Sequence, residues 1–213
     1  MQKCTLLGHA HLFSNPSLQL MELLRRHDAE SYHHSVQSTS YFIDFCLHAQ
    51  LHSFLQPIIL QSILLHDIGK LLVPAELLQK SGPLTFAEKT EIEQHPELGL
   101  DLLSDYQEIE FEPALILYHH GNADGSGYPY HLRSEQLPFA VKLLRVIDSY
   151  TAMTTERTFR PKRTSRKAII ELQKHVGTTF DAYCTSLFAA YLDKRLNGKK
   201  ILLHYLDYAS YQK

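Results

Sequence analysis

A chain of 213 residues, 44% hydrophobic and 21% charged, has the length and composition of one substantial globular domain. Its net charge of −2 gives no electrostatic reason to bind a nucleic-acid polymer. Three widely spaced cysteines (Cys4, Cys46, Cys184) make neither a zinc pattern nor a disulfide framework, no apolar leader precedes Cys4, and no apolar run approaches the roughly 18 residues of a membrane span, so the expectation is a soluble, cytoplasmic protein. The abnormal count is fourteen histidines, the commonest metal ligands and the acid–base groups closest to neutrality.

In chain order, residues 1–15 hold the pair His9 and His11 without a supporting strand pattern. Ser14-Asn15-Pro16 reads as a helix start, with Pro16 in the first turn. Leu18, Leu20, Met21, Leu23 and Leu24 form its apolar stripe, and Arg25-Arg26 a solvated end. Asp28-Ala29-Glu30 opens the next helix with acidic residues at its positive end. Glu30 and His34, four apart, share a face, and His33 points away to the surface. Tyr41, Phe42, Phe45 and Cys46 continue the apolar stripe. His48 and His52, also four apart, read as structural residues on a common face.

Pro57 starts an apolar helix, Ile58-Ile59-Leu60 through Ile63-Leu64-Leu65, that ends in His66-Asp67-Ile68-Gly69-Lys70. Adjacent helical residues point about 100° apart, so His66 and Asp67 face one ion only near a helix end or across a shared cavity. Gly69 suits a helix that ends there. Pro74 opens a short helix through Leu78. Thr85 with Glu88 is a capping box, and that helix carries His95 at its end. Pro96 begins another, to Leu103, and Pro113 begins one that delivers His119-His120. Three glycines and a proline make residues 121–129 a loop. Phe139 to Ala152 is an apolar helix in which Asp148 is poorly solvated unless paired. A basic run follows: Arg157, Arg160, Lys162, Arg163, Arg166 and Lys167. Ser165–Lys174 is helical, Gly177 breaks it, and Asp181 caps a last long helix to about Leu196. Residues 201–211 are compatible with helix or strand. Without strand alternation anywhere, the chain reads as all-α, with roughly eight to ten helices.

Glu30, His34, His66, Asp67, His95, His119, His120 and Asp148 supply five imidazoles and three carboxylates. Mixed N/O ligation without thiolate suits Mn, Fe or Zn. Eight donors exceed what one ion needs and point to two metals, or three. Two ions about 3.5–4 Å apart clamp the attacking and leaving oxygens of phosphoryl transfer. Lys70, Arg157 and Arg160 are cations suited to such a substrate. The alternatives are a solvated basic turn for the two arginines and a helix-dipole role for Glu30.

His34, His66-Asp67-Ile68-Gly69-Lys70, His95, His119-His120, Asp124-Gly125-Ser126-Gly127-Tyr128-Pro129 and Asp148 closely resemble the motifs of the HD-GYP domain, a branch of the HD metal-dependent phosphohydrolases. The resemblance extends through Ala152-Met153-Thr154, Arg157, Phe159-Arg160, Gly177 and Phe180-Asp181. It implies an HD-domain-like helical bundle with a GYP loop at 28–196, a helical extension at 1–27 and a tail at 197–213. It also implies hydrolysis of cyclic di-GMP to linear pGpG, with either pGpG or GMP as the final product, through a hydroxide bridging two or three divalent ions, Fe or Mn foremost. His34, His66, Asp67 and Asp148 then match the ligands shared by HD enzymes, with Asp67 bridging. His95, His119 and His120 match those of the second metal, and Glu30 the extra ligand of trinuclear members. Lys70 matches the lysine at the scissile phosphate; Tyr128, Arg157 and Arg160 match substrate contacts. The implied partner is cyclic di-GMP or a related cyclic dinucleotide, with no membrane involved.

Two departures stand out. Gly121 occupies the place of a glutamate after the histidine pair, and Thr151 that of a second aspartate after Asp148; Asn122-Ala123 also replace a bulkier pair. Every implied ligand is retained, so the departures bear on ligand orientation. They motivate one alternative, a catalytically weakened binding or signalling module. The other alternative is an HD hydrolase of another nucleotide, such as cyclic GMP-AMP.

Overall fold

A computed structural model describes residues 12–155 and 161–196, and these contain ten α-helices and no strand. The tail at 197–213, His9, His11, Arg157 and Arg160 lie outside the described residues. None of the described helices is long and apolar enough to cross a membrane.

Helix α1 (Asn15–His27) starts as its sequence dictates: Ser14 Oγ accepts from Ser17 N, and Pro16 occupies the first turn, where its missing N–H costs nothing. It buries Leu20, Met21 and Leu24. Asp28 caps α2 (Ala29–His48) by accepting from Ser31 N at 3.0 Å. The two halves of α2 bury different chemistry. Phe42, Ile43, Phe45 and Cys46 enter the apolar core, whereas Ser31, His34, Ser35, Ser38 and Thr39 are buried and polar. A buried polar face this long requires internal partners.

Helix α8 (Phe139–Thr154) is the hub, packed against α2, α9 (Ser165–Lys174) and α10 (Ala182–Leu196). Phe45, Tyr150, Phe188 and Tyr191 link α2, α8 and α10 through mostly edge-to-face rings, each pair contributing about 0.5–1.5 kcal/mol beyond area burial. Around this hub lie α3 (Pro57–Leu64), α4 (Ala75–Leu78), α5 (Phe86–Ile92), α6 (His95–Ser104) and α7 (Pro113–Leu117). The Thr85–Glu88 capping box opens α5, and Asp181 Oδ1 accepts from Cys184 N at the start of α10.

Three local expectations need correction. First, α3 ends at Leu64, and the chain passes through His66-Asp67 into a 3-10 helix, Ile68–Leu72. Gly69 is therefore no helix cap. A Cβ there would stand 2.0 Å from the His95 carbonyl oxygen and 2.4 Å from Gly99 N, so the missing side chain lets this segment lie against α6. Second, His95 opens α6 instead of closing α5. Third, His48 and His52 share no helical face. Helix α2 stops at His48, Gln50 takes φ 58°, and His52 starts a separate 3-10 turn.

Gly69→Ala should cost about 1–3 kcal/mol, the range for overpacking against backbone that cannot yield. Gly82→Ala, where an added Cβ meets nothing within 4 Å, is the control. Urea denaturation of both variants checks this; equal midpoints would contradict it.

Candidate metal centre

Three short peptide stretches place the inner histidines by one device. His66, His95 and His119 each follow, by three residues, an isoleucine in the last turn of a helix: Ile63 in α3, Ile92 in α5 and Ile116 in α7. Carbonyls in a last helical turn have no intrahelical partner. Each imidazole answers one, Nδ1–H donating to Ile63 O at 2.8 Å, Ile92 O at 2.8 Å and Ile116 O at 2.7 Å. This orientation also suits the negative end of the helix. With Nδ1 carrying the proton, the lone pair of every Nε2 turns inward.

The inward atoms converge on Asp67, which is 1% exposed. Its Oδ1 lies 3.2 Å from His95 Nε2 and 3.7 Å from His119 Nε2. Its Oδ2 lies 3.5 Å from His66 Nε2, 4.0 Å from His34 Nε2 and 2.7 Å from Lys70 Nζ. The donor atoms thus form two groups, Asp67, His95, His119 and His120 in one and His34, His66 and Asp67 in the other. Asp148 joins the second group: its Oδ1 is 2.6 Å from His34 Nε2 and 3.7 Å from His66 Nε2. Glu30 belongs to neither group but lines a pocket of about 310 Å³ together with His34 and Lys70.

Charge reinforces the geometry. Burial raises the pKa of both aspartates, but Lys70 and His66 outweigh it at Asp67, and the bond with His34 together with the neighbouring His66 imidazole outweighs it at Asp148, holding both carboxylates well below their ordinary range. Burial pushes His119 down to about 4, and burial with the neighbouring His119 and His95 pushes His120 lower than usual, so both stay neutral lone-pair donors. Burial opposes protonation of His66, yet Asp67 and Asp148 raise its pKa.

This donor set fits divalent metal. His66 Nε2 and Asp67 Oδ1 are buried without a hydrogen-bond partner, a costly state that a cation would relieve. His95 Nε2 and His119 Nε2 face each other at 3.1 Å, lone pair to lone pair given the Nδ1 bonds, an arrangement that calls for a positive charge between them.

His34 is held differently. It sits inside α2, away from any helix end, and its Nδ1 lies 3.4 Å from Thr151 Oγ1. That hydroxyl is shared with Ser38 Oγ at 2.8 Å and donates to the Ile147 and Asp148 carbonyls. Gly121 is matched by Leu137: a Cβ at Gly121 would stand 2.9 Å from Leu137 Cδ1.

Loop 121–129 closes over the centre. Tyr128 stacks on His120, with ring centroids 4.7 Å apart and planes at 26°. Gly127 permits this fold-back, since a Cβ there would meet His120 O at 2.3 Å and Asn122 N at 2.4 Å. Arg145, which is not among the site residues inferred from sequence, bonds Asn122 and Ser149 and lies 3.8 Å from Asp148. An arginine within Leu143, Leu144, Val146 and Ile147, one turn before Asp148, was the available signal.

Comparison with known proteins adds to this geometry. The HD domain family profile matches residues 19–183. The chain is 35% identical over 122 residues to the cyclic di-GMP phosphodiesterase response regulator RpfG of Xanthomonas campestris pv. campestris, covering 56% of this chain and 32% of that protein. It is 27% identical over 132 residues to the 3'3'-cGAMP-specific phosphodiesterase 2 of Vibrio cholerae, covering 61% of this chain and 25% of that protein. It thus spans a third or less of the length of these curated relatives. Among solved structures, Bd1817, a HDG"Y"P protein from Bdellovibrio bacteriovorus, shares the fold, with a TM-score of 0.57 at 20% identity over 76% of this chain and 52% of that one.

Thr151→Val removes the hydroxyl beside His34 Nδ1 at little cost in volume. Mn²⁺ affinity should fall about tenfold, the lower end for lost support of a ligating histidine. Thr151→Asp, which restores a strong acceptor, should match or exceed the parent. Chelator-competition titration checks both; equal affinity in the valine variant would show that Thr151 does not orient His34.

Proposed function

This chain belongs to the HD domain family, in its HD-GYP branch, and from that premise we propose that it is a metal-dependent phosphodiesterase that hydrolyses cyclic di-GMP, with linear pGpG as the product of the first cleavage. The observation that carries the reading is the division of Asp67, whose two carboxylate oxygens face two different sets of imidazoles. In this reading His34, His66, Asp67 and Asp148 hold one divalent ion and Asp67, His95, His119 and His120 a second. Fe or Mn suits such an imidazole–carboxylate set without thiolate. Ions bound there supply Lewis acidity, lowering the pKa of water and offsetting charge that develops on the phosphoryl oxygens.

The protein's own residues do the rest. Lys70, on Asp67 Oδ2 and lining the pocket with His34, presents a cation to a phosphate. Tyr128 stays a phenol: burial first, and the charges of Asp67 and Asp148 next, push its pKa above the ordinary value, so it donates a hydrogen bond instead of adding charge. The Tyr128 ring stacks on His120, which fixes the phenol against that imidazole. Arg157 and Arg160, outside the described residues, are the proposed phosphate forks. Glu30, in the pocket with His34, is the proposed ligand of a third ion. The proposed compartment is the cytoplasm, in keeping with the free, buried thiols of Cys46 and Cys184.

The similarity to the 3'3'-cGAMP-specific phosphodiesterase 2 of Vibrio cholerae supports a second reading, in which the preferred substrate is cyclic GMP-AMP. Relative kcat/KM for the two cyclic dinucleotides separates the readings.

Asp67→Ala should abolish turnover of cyclic di-GMP and remove metal from both groups at once. Metal content per chain after anaerobic purification, with product analysis, checks this; parental turnover in that variant would end the proposal. Arg157→Ala should weaken cyclic di-GMP binding by about 1.5–3 kcal/mol, the range for a charged hydrogen bond, with metal content unchanged. Calorimetric titration with the nucleotide checks it; parental affinity would return Arg157 to a solvated turn. Glu30→Gln should lower metal stoichiometry by one ion per chain; an unchanged stoichiometry would leave Glu30 as a helix-dipole residue.

A further inference from the structure

Arg145 joins two parts of the site that no other described element joins in the same way. It lies on α8 one turn before Asp148, and its side chain is 16% exposed. Nε and Nη2 both donate to Asn122 Oδ1, at 3.2 and 3.0 Å. Nη1 donates to Ser149 Oγ at 2.7 Å and lies 3.8 Å from Asp148 Oδ2. The guanidinium carbon stands 5.4 Å from the centroid of the Phe180 ring.

Each contact has a consequence. Asp148 directs Oδ1 at His34 and His66, and the oxygen on its other side faces the guanidinium. A fixed cation behind a carboxylate favours the rotamer that keeps the opposite oxygen turned inward. Asn122 in turn donates from Nδ2 to Ser126 Oγ at 3.0 Å, inside loop 121–129. The same loop is tied by backbone bonds from Ala123 N to Thr179 O and from Asp124 N to Thr178 O. One planar fork therefore spans the loop that carries Tyr128 and the helix that carries Asp148. A lysine offers the charge but not the fork.

We propose that Arg145 is a positioning residue that couples loop 121–129 to the ligand-bearing helix: its charge orients the Asp148 carboxylate, and its fork on Asn122 sets the loop that bears Tyr128. The proposal rests on Asp148 being a metal ligand, as argued above.

Two substitutions in the full chain separate the two roles. Arg145→Gln loses charge and fork, and Mn²⁺ affinity, measured with Mn²⁺ alone by chelator competition, should drop about tenfold, as for lost support of a metal ligand. Arg145→Lys keeps the charge, so Mn²⁺ affinity should stay within about threefold of the parent, a smaller loss than that expected for an unsupported ligand. Its KM for cyclic di-GMP should rise about tenfold with kcat little changed, because removal of uniform substrate binding raises KM alone. Parental Mn²⁺ affinity in Arg145→Gln overturns the first role; parental KM in Arg145→Lys overturns the second. Equal losses of Mn²⁺ affinity in both variants, accompanied by lower unfolding midpoints, would reduce Arg145 to a packing residue and also overturn the proposal. If Arg145→Gln does not fold, the lysine variant decides alone: retained Mn²⁺ affinity with raised KM supports the coupling, and any other pattern overturns it. A parent chain that binds Mn²⁺ but leaves cyclic di-GMP intact refutes the substrate assignment while the Mn²⁺ comparison still judges the first role. A parent that binds no Mn²⁺ refutes the metal reading itself, and with it this proposal.

Discussion

One buried carboxylate, Asp67, is the constraint around which the molecule is arranged. An ionised aspartate taken out of water is expensive unless positive charge or hydrogen-bond donors surround it. Here Lys70 answers one oxygen at 2.7 Å, while the other lies among imidazole nitrogens without receiving a hydrogen bond. The site is thus electrostatically incomplete in its protein atoms alone. A divalent cation between these atoms would satisfy both the carboxylate oxygen and the facing imidazole nitrogens.

Holding such a carboxylate against so many imidazoles requires close backbone approach. The 3-10 segment that follows Asp67 lies on α6 at Gly69, next to the carbonyl of His95 itself. The glycine contact and the imidazole–carboxylate contact are therefore parts of one packing arrangement: the backbone approach that excludes a Cβ also brings His95 Nε2 within 3.2 Å of Asp67 Oδ1. Precision comes next from helix ends. Three imidazoles borrow unpartnered last-turn carbonyls to fix their tautomers, a solution that needs no additional side chain. His34, in mid-helix, has no such carbonyl within reach. It depends on a hydroxyl pair, Thr151 and Ser38, contributed by α8 and α2.

The departures from the family pattern acquire physical meaning in this frame. Leu137 fills the space beside Gly121, and Asn122, the next residue, accepts the guanidinium of Arg145. Thr151 retains an oxygen next to His34 with weaker acceptor strength than a carboxylate. The donor atoms themselves are left in place, so these changes bear on how the donors are held.

Much of this was legible in the residues alone. Helix starts at Ser14, Asp28, Thr85 and Asp181 follow from local side-chain-to-backbone bonds between near neighbours, which sequence displays directly. The histidines and aspartates of the centre could be enumerated for the same reason that their types are rare in apolar surroundings. Other features depend on contacts between distant parts of the chain. His34 meets Asp148 across 114 positions and Asn122 meets Arg145 across 23. Gly69 looked like a helix end because a glycine after an apolar run usually is one; only the approach of α6 shows that it is a spacer. The sequence by itself determined which donors exist and which helices carry them, since capping and periodicity act over three or four residues. Tertiary packing decided that Asp67 turns one oxygen to each histidine set and that Arg145 stands behind Asp148, since those relations exist only once separate helices are pressed together.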